Sequence, residues 1–68
     1  MNSEAKQLIM TAIQTSEGWK RLVSSVQKSS NKEQAIEEVL SYFYDIASGN
    51  ETNYQYMKDS LEYFLSHE

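Results

Sequence analysis

The chain has 68 residues, 40% of them hydrophobic, with eight aromatics, no cysteine and a formal net charge of −4. That composition suffices for one small core and argues against disorder, which needs low hydrophobicity and high net charge. The lack of cysteine excludes disulfides and thiolate metal sites, so an unstapled domain of this size is expected in a reducing compartment, by default the cytoplasm.

Proline is absent and glycine occurs only at positions 18 and 49, which leaves few places to turn and predicts an all-α chain. The expected architecture is a single helical domain over residues 1–68. It is a small three-helix bundle with a long, kinkable first helix over 4–28, then helices over 31–48 and 53–66. If the first segment breaks near Gly18, the bundle has four helices.

In the first segment Asn2 or Ser3 is the candidate N-cap. Ala5, Leu8, Ala12, Thr15, Trp19, Leu22 and Val26 recur at steps of three and four, with Ile9, Ser16 and Val23 in the adjacent row. The stripe crosses Gly18 in phase, which favours one helix, bent or straight. An interior glycine costs about 1 kcal/mol relative to alanine, which a helix tolerates. The alternative is a break, with Thr15 or Ser16 capping a second helix. At ~1.5 Å per residue the continuous helix would span about 38 Å, longer than its two neighbours. It would therefore bend, or leave part of its stripe for another chain.

Ser29-Ser30-Asn31 is a turn signal, and Ser30-Asn31-Lys32-Glu33 matches a capping box. From there Ile36, Val39, Leu40, Phe43 and Ala47 form an apolar stripe with Ile46 at its edge, and Gly49 is the expected left-handed residue at its end. Thr52 or Asn53 then caps the last helix, whose stripe is Tyr54, Met57, Leu61, Phe64 and Leu65.

Catalytic chemistry finds no foothold in this pattern. Nucleophilic catalysis wants a nucleophile, a base and an orienting group within reach, and the lone histidine, His67, sits next to the last residue, where helix-dipole complementarity explains it. Glu37 and Glu38 are adjacent and point about 100° apart on a helix. Asp59 and Glu62 lie three apart with no histidine beside them, and a solvated acidic face accounts for them. No HExxH, EF-hand or glycine-rich phosphate pattern is present. Asn50-Glu51-Thr52 matches a glycosylation sequon, which turn chemistry explains equally well. The expected protein is not an enzyme, with no catalytic residue, no metal and no cofactor.

Recognition is the better reading. Residues 1–34 carry five cations against three acids, net +2, and residues 35–68 carry one against seven, net −6. Trp19-Lys20-Arg21 is the best basic–aromatic cluster, but Trp19 belongs to the apolar stripe and overall acidity opposes phosphate binding. Tyr42 and Tyr44 flank Phe43 and need no special role. Tyr56 and Tyr63 fall about 200° and 180° from Tyr54, on the back of the last helix, with Asp59 and Ser60 between them. Tyrosine there suits an interface, since it offers a large rigid surface and a hydroxyl. Scattered exposed aromatics are also ordinary.

The sequence thus points to a small protein-binding regulator, inhibitor or adaptor of bacterial or phage type. It would cover a partner, preferably a basic one, with Tyr56, Asp59, Ser60 and Tyr63, and with Glu38, Tyr42 and Asp45 as a neighbouring patch. One alternative is a self-associating homodimer with no foreign partner. The other is a nucleic-acid binder using Lys20 and Arg21. No run approaches the ~20 apolar residues of a membrane span, and residues 1–4 lack the basic and apolar regions of a signal peptide, so no membrane role is expected.

Overall fold

A computed structural model describes residues 3–67. Asn2, one of the two candidate caps, lies outside the described residues. The four-helix alternative is the one adopted: α1 (Ser3–Ala12), α2 (Ser16–Lys28), α3 (Lys32–Ala47) and α4 (Glu51–Ser66).

The break between α1 and α2 is a local event with a tertiary cause. Helical bonding in α1 runs out at the Ile13 and Gln14 amides, which donate to Ile9 at 3.0 Å and Thr11 at 3.3 Å. Thr15 then turns extended (φ −138°, ψ 158°), and its hydroxyl accepts from the Gly18 amide at 2.9 Å. That is the N-cap arrangement, which satisfies one of the orphan amides of a new helix. The chain folds back so that the end of α1 abuts the start of α2. A Cβ on Gly18 would meet the Ala12 carbonyl, with the carbonyl carbon at 2.6 Å and Cα at 2.9 Å. A straight helix over 4–28 would run about 38 Å, beyond the longest dimension of the molecule, 28 Å. The turn at 13–15 lets the two halves of the stripe face a shared core.

The ends at 28 and 66 fall where expected, while the starts of α3 and α4 shift by one and two residues for reasons of cap chemistry. Asn31, not Ser30, caps α3, its Oδ1 accepting from the Gln34 amide at 3.1 Å. Asn50, not Thr52 or Asn53, caps α4, accepting from the Asn53 amide at 3.1 Å. Thr52 therefore forms no capping box with Gln55, three residues on, and the Gln55 side-chain amide instead donates to Asp59 at 2.9 Å. The asparagine of the sequon spends its side chain on this cap. Between α3 and α4, Ser48 (φ 51°) and Gly49 (φ 85°) both adopt left-handed backbone. The Ser48 amide reaches back to the Tyr44 and Asp45 carbonyls at 3.2 Å each.

α2 and α3 are the central helices: each packs against the other three, while the backbones of α1 and α4 do not approach each other closely among the described residues. The core is Ile9, Trp19, Val23, Val26, Val39, Phe43, Ala47, Met57 and Leu61. Phe43, Leu61 and Val23 are its most enclosed members. Trp19 joins three helices, meeting Phe43 of α3 edge-on at 5.7 Å and stacking on Phe64 of α4 at 5.9 Å. The predicted stripes of α3 and α4 face the core: Val39, Phe43, Ala47, Met57 and Leu61 are buried in it, and Ile36, Leu40, Tyr54, Phe64 and Leu65 pack half-buried against it. In α1 the break changes the outcome for one residue: Ile9 enters the core as expected, but Leu8 is left 67% exposed. Lys6 of α1 bridges to Asp45 of α3 at 3.1 Å across the surface.

Candidate functional site

The back of α4 is presented to solvent as the helical period requires. Met57 and Leu61 are buried, and Tyr54, Phe64 and Leu65 pack against the core from the sides. Residues half a turn away face outward. Tyr56 is 71% exposed and Tyr63 56% exposed. Asp59 is exposed between them and Ser60 is half-buried.

The two tyrosines differ in their surroundings. Tyr63 has neighbours on its own helix: the edge of Phe64 at 5.2 Å and the His67 ring stacked at 4.1 Å. His67 in turn places Nδ1 2.7 Å from the Tyr63 carbonyl, and its amide donates to the same oxygen at 3.1 Å. A carbonyl only accepts, so Nδ1 carries the proton. His67 is thus the C-terminal cap of α4, and Tyr63 supplies the plate beneath it. Tyr56 makes no ring, hydrogen-bond or ionic contact among the described residues. With Glu51, Thr52, Gln55 and Asp59 it lines a shallow acidic depression.

Glu38, Tyr42 and Asp45 belong to a different part of the surface. Glu38 and Tyr42 line a groove of about 400 Å³ between α1, α2 and α3, floored by Ile9, Val26 and Val39, with Leu8 at its lip. Asp45 is engaged by Lys6. The sequence set therefore divides into an α4 face and an α1–α3 groove that share no lining residue. Tyr44, 66% exposed, meets Tyr54 edge-on at 5.8 Å and helps wall a pocket of about 320 Å³ at the α3–α4 turn. Periodicity alone did not single out that pocket, because it is made by the left-handed turn at 48–49.

On α2, Lys20, Arg21 and Lys28 are all exposed. Arg21 approaches Glu17 at 3.5 Å, a solvent-exposed i,i+4 pair worth little. Trp19 is buried against Phe64, so the Trp19-Lys20-Arg21 cluster offers two cations and no ring. Among the described residues no group of three His, Asp or Glu side chains is gathered to hold a metal. No described helix is long and apolar enough to cross a membrane.

The fold and this surface define a small all-α protein of four helices with an acidic, tyrosine-bearing outer helix. Comparison with protein-family models, with curated proteins and with solved structures found no match for the chain.

Proposed function

We propose that this is a protein-binding protein, a regulator, inhibitor or adaptor that acts by covering a partner's surface with the outer face of α4. The observation that carries the reading is Tyr56: 71% exposed and without a ring, hydrogen-bond or ionic contact among the described residues, on a helix whose opposite side already supplies Met57 and Leu61 to the core. An interface supplies what the monomer does not, burial of the ring and a partner for the hydroxyl. Tyr63 and Ser60 extend the contact along the helix. Asp59 and Glu62 favour a cationic surface opposite, through orientation and encounter rate more than through affinity.

Site-specific photo-cross-linking in cells that carry the protein tests this. A photoreactive residue at position 56 is expected to give a discrete adduct, and the same residue at position 37, on the exposed face of α3, none. The adduct should weaken in the Tyr63→Ser background. No adduct at 56, or equal adducts at both positions, would refute the reading.

A further inference from the structure

The partner of this face can be named from charge. α2 carries three cations against one acid, net +2, and is the only positively charged helix among the described residues. α4 carries three acids against one cation, net −2. The two helices are neighbours, joined by the Trp19–Phe64 stack, so their outer faces lie side by side. A two-fold interface uses the same patch on both subunits and must be self-complementary. A positive helix beside a negative helix of matching magnitude meets that condition, because a two-fold rotation lays each α2 over the other copy's α4.

We propose that the outer faces of α2 and α4 together bind a second copy of this chain, Lys20 and Arg21 of each copy facing Asp59 and Glu62 of the other. Tyr56 and Tyr63 then lie within the contact, where their rings are covered. The proposal rests on the reading that the α4 face binds protein, and names the occupant. Lys20 and Lys28 form no ion pair with a described residue, and Arg21 has only the long contact to Glu17, so these cations are free to pair across the interface. The footprint is about 20 Å by 20 Å from helix length and spacing. That is at the small end for specific interfaces, so the dimer is weak and sensitive to salt.

A charge swap tests both the occupant and the pairing. Lys20→Glu/Arg21→Glu turns α2 from +2 to −2, and Asp59→Lys/Glu62→Lys turns α4 from −2 to +2. All four positions are exposed, so both variants should keep the wild-type helical circular dichroism. In sedimentation velocity up to roughly 500 µM chain, the wild type is expected to dimerise, with affinity falling at least tenfold between about 50 and about 500 mM salt. Each variant alone should stay monomeric, and an equimolar mixture should dimerise, since every α2–α4 pairing in the mixed species is attractive.

A monomeric wild type across this range overturns the proposal. So does a charge variant that dimerises like wild type, or a dimer lost on Leu8→Asp in the α1–α3 groove but kept by both charge variants. If the wild type is monomeric while a cross-linker at position 56 captures a different protein, the second-copy inference falls and the protein-binding reading stands. If position 56 captures nothing as well, both fall.

Discussion

Replacing Gly18 with alanine sets two effects of opposite sign against each other. Gly18 is the third residue of α2, in ordinary helical backbone, where alanine is favoured over glycine by up to about 1 kcal/mol. On propensity alone the variant is more stable. The packing predicts the reverse. The added methyl would meet the carbonyl oxygen, carbonyl carbon and Cα of Ala12, the last two at 2.6 and 2.9 Å. All three are backbone atoms and cannot rotate aside, and the carbonyl oxygen is the nearest, so the end of α1 must withdraw by roughly 1.5 Å to restore van der Waals contact. Ile9 and Ile13 ride on that turn and are part of the core or packed against it, so withdrawal loosens both. Overpacking of this kind costs about 1–3 kcal/mol, and a rigid obstacle belongs at the upper end.

The net expectation is a loss of about 2 kcal/mol, or about 8–16 °C in Tm for a domain this small. Urea titration and thermal melts followed by circular dichroism at 222 nm measure it, at a few micromolar chain to limit any contribution from association. A variant more stable than wild type by about 1 kcal/mol would refute the reasoning, since that is the propensity gain unopposed. It would mean that α1 does not press on α2 at this point, and that the two segments are free to run on as one helix.

Gly49 is constrained differently: its φ of 85° disfavours any Cβ although nothing lies within 4 Å, so Gly49→Ala should cost about 1–2 kcal/mol by urea titration without disturbing the core. Thr15→Ala, Asn31→Ala and Asn50→Ala each remove an N-cap and should each cost about 1 kcal/mol in the same assay. Phe43→Ala empties the centre of the core at a cost of about 3–5 kcal/mol. A chain of this length has roughly 3–10 kcal/mol to lose, so the variant should show little cooperative unfolding. Tyr56→Ser should change stability by less than about 0.5 kcal/mol at low concentration, whereas Tyr63→Ser, which removes contacts with Phe64 and His67, should cost about 0.5–1.5 kcal/mol. Equal effects would mean that the two rings are not in different environments.

The legibility of each helix in the sequence tracks how local its determinants are. α3 and α4 follow from their apolar periods, and their cores are the residues the period selects, because a single face buried against one neighbouring layer is what a 3.6-residue pattern encodes. Their caps moved by one to three residues because several side chains near each start can accept a backbone amide. Ser30, Asn31, Asn50, Thr52 and Asn53 all qualify, and the choice falls to whichever lets the preceding turn close. The α1–α2 corner was legible only as an alternative. The stripe holds its phase through Gly18, so periodicity cannot tell a continuous helix from two segments folded together. What decides is the approach of the Ala12 carbonyl to Gly18, a contact between residues whose proximity exists only after folding. Leu8 follows from the same contact: once α1 turns back on α2, Ile9 fills the core and Leu8 of the neighbouring row is left outside.

The candidate surface obeys the same division. A wheel drawn for α4 puts Tyr56 and Tyr63 on its back, and both rings are exposed, since a helix leaning on one side cannot hide the other. The wheel cannot distinguish the two. Tyr63 lies one turn before the helix end, where a histidine can fold over it and return to its carbonyl, and that satisfies much of the ring within the monomer. Tyr56 lies mid-helix, with polar Thr52 and Ser60 a turn to either side and no ring to meet. Grouping Glu38, Tyr42 and Asp45 with this face would need α3 and α4 to show these residues to the same side. α3 instead turns Asp45 toward Lys6 of α1, because α1 and α4 lie against different sides of α3. The acidic half of the chain is therefore two surfaces, and the one on α4 lies beside α2, joined to it by the Trp19–Phe64 stack. That adjacency, a property of helix packing that no linear charge count contains, turns an acidic helix with one unaccounted tyrosine into a surface with a specified counterpart.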